Sequence, residues 1–194
     1  GQPLKRVNAW VQADQQTHGD IVITHYGLES GVIYKLGREL RGLHKQNQKL
    51  KLHLDLLPDV SIEQLIQKLQ GNKKQSLTNL WRKAGLDSIK INLLREIVDK
   101  SRWSDTKQMA QQIKQLAIDL DGFRPIEEAI SCAGGVKQEA LSAQLQLQSN
   151  PHVFCCGEML DWDAPTGGYL LTACFATGRA AGQGVHEFLE SSSV

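Results

Sequence analysis

The chain has 194 residues, 41% hydrophobic and 22% charged, with a formal net charge of +1. That is the make-up of a globular protein, and its near-neutrality excludes the overall basicity of a dedicated nucleic-acid binder. No stretch approaches the roughly 18 consecutive apolar residues of a membrane-spanning helix.

No hydrophobic run follows Gly1–Arg6, so no signal peptide is expected, and no Asn-x-Ser/Thr acceptor occurs. The chain reads as soluble and cytoplasmic. Its cysteines agree: Cys132, Cys155, Cys156 and Cys174 form no Cys-x-x-Cys, and three of them sit among apolar or small residues. They read as buried, reduced thiols acting as small hydrophobes. No metal site is expected; His186-Glu187 lacks the second His of a His-Glu-x-x-His helix.

Charge is segregated along the chain. Residues 1–125 carry 20 Lys and Arg against 13 Asp and Glu, a net +7, whereas residues 126–194 carry 2 against 8, a net −6. Composition breaks near Pro125.

In chain order, Leu4–Val11 and Asp20–His25 read as strands joined by a polar, Gly-containing connection. Residues 30–41 suit a short helix. Lys49–Leu56 is the clearest strand: Leu50, Leu52, Leu54 and Leu56 alternate with Lys49, Lys51, His53 and Asp55, predicting one buried and one wet face with His53 on the wet side. Ser61 and Gln64 form a capping-box pattern ahead of Ile62, Leu65, Ile66 and Leu69, and Gly71 would end that helix. Leu93, Leu94, Ile97 and Val98 mark a second helical stripe. Ser104 would cap a third, with Ala110, Ile113, Leu116, Ala117 and Leu120 inward. Such a bundle would carry its Lys and Arg outside, where Trp81-Arg82-Lys83 sets one aromatic beside a charge pair. Beyond Pro125, Glu127–Ala133 and Val153–Cys156 look like strands and residues 168–189 like a helix, in which Gly178 and Gly182 would permit a close approach.

Two glycine pairs stand out: Gly134-Gly135 after the first of these strands, and Gly167-Gly168 opening the helix. Glycine lets a backbone come within hydrogen-bonding distance of a ligand, and unpaired N–H groups at a helix start favour an anionic or electron-accepting group. Gly157-Glu158 would end the preceding strand with a carboxylate placed for hydroxyl groups. Ligand binding and tight-turn architecture both fit this pattern.

The stretch Val153-Phe154-Cys155-Cys156-Gly157-Glu158-Met159-Leu160-Asp161, with Thr166-Gly167-Gly168-Tyr169 and Gly178-Arg179-Ala180-Ala181-Gly182 after it, resembles the C-terminal FAD-binding signature of a bacterial NAD(P)/FAD-dependent oxidoreductase family, the aminoacetone oxidase-like or BaiN-like flavoproteins. Ala133-Gly134-Gly135-Val136 is similar to that family's Thr-x-Gly-Gly-Val loop. Thr24-His25-Tyr26-Gly27-Leu28 is similar to its Thr-His-x-Gly-Leu segment. Two departures accompany the match. Leu170-Leu171-Thr172 follows Gly-Gly-Tyr where the commoner pattern continues with Asn, and the family's N-terminal Gly-x-Gly-x-x-Gly unit does not occur.

The resemblance implies an α+β chain. Residues 1–57 would form a β-rich inserted domain, residues 58–122 a helical bundle inserted in it, and residues 123–136 its return strand. Residues 137–194 would be the C-terminal part of a split FAD-binding domain. It implies FAD held at Gly134, Gly135, Gly157, Glu158, Asp161, Thr166, Gly167, Gly168, Tyr169 and Leu170, with Asp161 either binding the cofactor or anchoring its loop. It further implies His25 and Tyr26 facing a small-molecule substrate and NAD(P)H as electron donor. A missing N-terminal FAD-binding half would be the partner, leaving this fragment inactive alone. Leu170, Leu171 and Phe175 would then need cover, from the chain's own β domain or from a domain-exchanged homodimer. No membrane or nucleic-acid partner is expected on this reading. The alternative, from another class, is a non-catalytic interaction module whose basic helical region binds nucleic acid or an acidic protein.

Overall fold

The computed structural model describes residues 1–13, 15–70, 75–164 and 167–191, in two units, Gly1–Gly122 and Phe123–Val194. The expected end of the second helix at Gly71 lies outside the described residues.

The N-terminal unit is α+β. Strands β1 (Gln2–Trp10), β2 (Thr17–Thr24), β3 (Gly27–Glu29), β4 (Leu50–Asp55) and β5 (Leu116–Leu120) form one antiparallel sheet in the order β3-β2-β1-β4-β5. Helix α1 (Gly31–Lys45) packs on β2 between β3 and β4. Helices α2 (Ile62–Leu69), α3 (Leu77–Ala84), α4 (Ser88–Ile97) and α5 (Thr106–Lys114) are inserted between β4 and β5, which pair with each other from Leu50↔Leu120 to Leu54↔Leu116. One core serves sheet and insertion: Leu4, Ile21, Leu52 and Leu54 from the strands join Leu65, Trp81, Leu94 and Ile113 from the helices, all nearly inaccessible. The last strand of the sheet is therefore residues 116–120, and residues 123–136 contain no strand.

Local chemistry explains most boundaries. Ser61 caps α2 through its hydroxyl, which accepts from the Gln64 N–H, while the Gln64 side chain accepts from the Ser61 N–H. The cap of α5 is Asp105, not Ser104: its carboxylate accepts from the N–H groups of Lys107 and Gln108, both at 3.0 Å. The helix stops at Lys114, so Leu116, Ala117 and Leu120 belong to β5 instead of a longer helical stripe. Helix α3 was not anticipated; Ser76 caps it, and Gly85, at φ 114°, ends it in the left-handed conformation.

The face of β4 opposite the leucines is not simply wet. His53 is half-buried and stacks on Trp10 across the β1–β4 pairing, ring centroids 5.7 Å apart. Asp55 is buried, its carboxylate 2.6 Å from the Lys114 ammonium. Lys114 also donates to the carbonyls of Leu57 and Val60, and Lys90 is buried too. The bundle therefore does not carry all its cations outward. Trp81, almost fully buried and edge-on to Trp103, is unavailable for stacking on a base.

His53 carries a pH signature. Among the described residues its Nδ1 has no hydrogen-bond partner, and burial, followed by the nearby Lys51 charge, lowers its pKa below 6.5. The unfolded chain takes up a proton on this residue more readily than the folded one. The resulting stability is present above pH 6.5 and is lost as pH falls through the depressed folded value. His53→Phe keeps a ring against Trp10 and removes the titration. Its melting temperature should drop less than the wild type's between about pH 8 and about pH 5. Equal drops would refute the assignment.

The C-terminal unit is built differently. Its regular element is α6 (Tyr169–Ser191), close to the expected helix. The expected strands at Glu127–Ala133 and Val153–Cys156 are absent as strands: residues 126–128 form a 3₁₀ turn, and Phe154 makes an isolated bridge to Gln146. Backbone groups here are satisfied by single bridges, Val136↔Leu160 in parallel and Leu141↔Leu147 antiparallel. A Cβ at Gly178 or Gly182 would meet nothing within 4 Å; the close approach on α6 is at Gly184, where it would lie 2.6 Å from the Gln144 carbonyl oxygen. The four cysteines are free, yet only Cys155 is buried; Cys132 and Cys156 are exposed and Cys174 is intermediate.

Candidate functional site

Most of the residues the motifs single out meet in the C-terminal unit. The Gly134-Gly135 loop lies against the chain after Cys156. Val136 N–H donates to the Met159 carbonyl and Asp161 N–H to the Val136 carbonyl, each at 2.8 Å. Gly135 is required by this contact, because a Cβ there would stand 2.3 Å from the Met159 oxygen. One Glu158 carboxylate oxygen (Oε1) accepts from the Cys132 N–H at 3.2 Å, tying the same two segments together. Asp161 anchors the loop through its main chain.

Residues 157–159 form a 3₁₀ turn that packs on α6. Gly157 N–H donates to the Thr177 hydroxyl at 2.9 Å, and that hydroxyl donates onward to the Ala173 carbonyl. Gly157, at φ 66°, would place a Cβ 3.5 Å from the Cys174 sulfur. Its N–H is therefore committed within the fold. Thr177 takes part in this geometry although no motif drew attention to it.

Gly134, Gly167 and Gly168 behave differently. Their φ angles are 103°, 102° and 87°, a conformation that side chains disfavour, and a Cβ on any of them would meet nothing within 4 Å. Among the described residues no neighbouring atom explains their lack of a side chain. Gly167 and Gly168 lead into α6, whose first i→i−4 bond runs from Thr172 N to Gly168 O at 3.1 Å. The first-turn N–H groups of Tyr169 and Leu170 precede it and carry the positive end of the helix dipole. Thr166 lies outside the described residues. Open glycine backbone and helix-start N–H groups are the kinds of group that fit an extended, electron-accepting cofactor such as FAD.

Further along α6, Leu171, Phe175 and Leu189 are exposed, 73% in the case of Phe175. Their spacing, continued by Gly178, Gly182 and Val185, makes one face of the helix. The cover expected for Leu171 and Phe175 is thus not supplied within this unit.

His25 and Tyr26 belong to the N-terminal unit, in the turn between β2 and β3. Their rings meet edge-on with centroids 4.8 Å apart, and the Tyr26 hydroxyl donates to the Glu29 carboxylate at 3.1 Å. Among the described residues no group of three metal-ligating side chains comes together, and no helix is long and apolar enough to cross a membrane.

A sheet interrupted by four short helices is matched by a known protein class. The chain belongs to the HI0933-like family of FAD-dependent oxidoreductases: the family's model, "HI0933-like protein barrel and H2TH domain", matches residues 1–131, which contain the whole sheet and its inserted helices. Over 185 residues the chain is also 25% identical to the 3-dehydro-bile acid delta(4,6)-reductase of Clostridium scindens. That match covers 87% of this chain and 44% of the reductase, so the chain spans less than half of that relative's length.

Proposed function

We propose that this chain provides the inserted β and helical domain and the C-terminal return of an FAD-dependent oxidoreductase acting on a small molecule in the cytoplasm. The observation that carries the reading is the trio Gly134, Gly167 and Gly168, positive-φ backbone on which an added Cβ would meet no atom of the described residues within 4 Å. In this reading Gly134, Gly135, Glu158, Thr166, Gly167, Gly168, Tyr169 and Leu170 form the chain's share of the cofactor site, with Gly157 and Asp161 holding its segments in register.

FAD, when bound, would supply the redox chemistry, with NAD(P)H the proposed electron donor. The chain's own contribution is positional and electrostatic. The amides of Tyr169 and Leu170 favour negative charge at the start of α6. The glycines admit a planar group to the main chain, and Glu158 keeps the Gly134 loop against the turn at 157–159. His25 and Tyr26 are proposed to face the substrate, held by their mutual ring contact and by Glu29.

The exposed Leu171–Phe175 face supports a partner for α6, and the reading assigns it to a complementary dinucleotide-binding half. The 194-residue chain alone should then retain no flavin and show no NAD(P)H oxidation. Mixed or co-expressed with the N-terminal FAD-binding half of a family member, it should acquire a flavin absorbance band. Tightly held, stoichiometric FAD on the isolated chain, or a colourless assembled protein, would overturn the reading.

A further inference from the structure

A second site lies wholly within the N-terminal unit and does not depend on the flavin reading. Between β1, the chain leaving β4 and the start of α4 there is a pocket of about 230 Å³. Its polar wall contains Lys90, a residue only 6% exposed. The Lys90 ammonium donates to the Leu56 carbonyl at 2.7 Å, which among the described residues uses one of its three donors. Burial lowers its pKa below 10.5, against the opposing pull of Asp87, Asp55 and Asp20. A buried cation with donors to spare is costly unless something pairs with it.

The opposite wall is shaped by a β-bulge. Register along β1 and β2 shifts between Leu4 and Val7, so Lys5 and Arg6 together oppose Asp20. Both residues, which would face opposite ways in a regular strand, line the same pocket. Arg6 adopts φ 51°, with its N–H on the Asp20 carboxylate at 2.8 Å and its guanidinium on Asp59 at 2.6 Å. Strained non-glycine backbone of this kind persists where surrounding contacts hold it. The carboxylates lining the pocket are already engaged: Asp59 takes Arg6, and Asp87 caps α4 by accepting from the Lys90 N–H. Leu57 and Pro58 make part of the wall apolar.

We infer that this pocket binds the carboxylate of a small organic acid, with the Lys90 ammonium as its principal donor and the apolar body of the acid against Leu57 and Pro58. A monoanion is favoured over a phosphate because the lining carboxylates Asp59 and Asp87, with Asp55 and Asp20 close enough to act on Lys90, would repel a dianion more strongly.

Calorimetric titration of the 194-residue chain with sodium benzoate tests this. Saturable one-to-one binding is expected, at least ~10-fold tighter than for benzamide, the neutral isostere, as a charge-assisted hydrogen bond requires. Lys90→Met should lose at least ~10-fold in benzoate affinity, whereas Lys107→Met, at the start of α5, should lose none. Should Lys90→Met fail to fold, the wild type supplies the second measurement. Affinity should fall as pH rises through the depressed Lys90 value, before an ordinary lysine at 10.5 would titrate. The other groups facing Lys90 are the cations Lys5 and Arg6 and the carboxylates Asp20, Asp55, Asp59 and Asp87. Binding with no such pH dependence, equal binding of benzamide, undiminished binding by a folded Lys90→Met, or no saturation would overturn the assignment. Tighter binding of inorganic phosphate than of benzoate would overturn the choice of carboxylate.

Discussion

Replacing Lys114 by Met should destabilise the N-terminal unit by about 3–5 kcal/mol, the cost of leaving a buried charge without its partner. Asp55 is 8% exposed and sits 2.6 Å from the Lys114 ammonium, which also donates to the Leu57 and Val60 carbonyls at 2.9 and 2.8 Å. The other Asp55 oxygen accepts from the Leu57 N–H at 2.9 Å. This one ion pair therefore joins the end of α5 to the exit of β4, the point at which the helical insertion leaves the sheet. Without the ammonium, a carboxylate and two carbonyls stay behind in a poorly solvated place. Asp55→Asn should cost less, because the amide keeps an acceptor for the Leu57 N–H and the Lys114 ammonium, though left without its counter-charge, still donates to the Leu57 and Val60 carbonyls. Denaturant unfolding of the three proteins checks the order. If Lys114→Met is no less stable than Asp55→Asn, the pair is a surface ornament and the argument fails.

Both residues were present in the sequence but their role was not legible there. The alternation of β4 is a local signal, and it located the strand correctly. It also placed His53 and Asp55 on a wet face, because a period of two says which residues share a side but not what covers that side. In the folded unit β1 brings Trp10 over His53, and the end of α5 brings Lys114 to Asp55. The same limit applies to β5. Ala110, Ile113, Leu116, Ala117 and Leu120 satisfy a helical spacing, yet pairing of residues 116–120 with β4 ends the helix at Lys114. A long-range ladder overrode a valid local pattern. Helix α3 is the opposite case: Ser76 and Gly85 were readable start and stop signals around two turns too short to show a convincing stripe.

In the C-terminal unit the glycines were legible and the strands were not. An apolar run such as Val153–Cys156 suits a sheet interior only if neighbouring strands exist. Among the described residues of this unit the available partners are isolated bridges. Gly157 reads as ligand-facing in sequence, and its N–H donates to Thr177 while Cys174 lies in ordinary contact distance, partners about twenty residues away that no local spacing announces. Lys90 was equally hidden. It lies four residues before Leu94 on the buried face of α4, a position where lysine contradicts the stripe, and such a contradiction is the sequence signal for a buried cation.

The distinction between architectural and ligand-facing glycines gives the second large effect. Gly135→Ala should destabilise the C-terminal unit, since its Cβ would fall 2.3 Å from the Met159 oxygen and 2.9 Å from the Leu160 carbonyl carbon. Relief requires separating the two segments and losing the Val136–Met159 and Asp161–Val136 hydrogen bonds, a loss of about 1–3 kcal/mol for the pair. Gly134→Ala meets no atom of the described residues within 4 Å and bears only the strain of its φ of 103°, about 1–2 kcal/mol. The same holds for Gly168→Ala at φ 87°. In the protein assembled with its FAD-binding half, flavin retention should separate from stability. Gly134→Ala and Gly168→Ala should release FAD while their melting temperatures stay near that of the parent apoprotein, because the added methyl group occupies the space assigned to the cofactor. Gly135→Ala should lower both together. Full flavin occupancy in Gly134→Ala and Gly168→Ala would mean that these positions serve the turns alone, and the cofactor site would have to be sought elsewhere in the assembled enzyme.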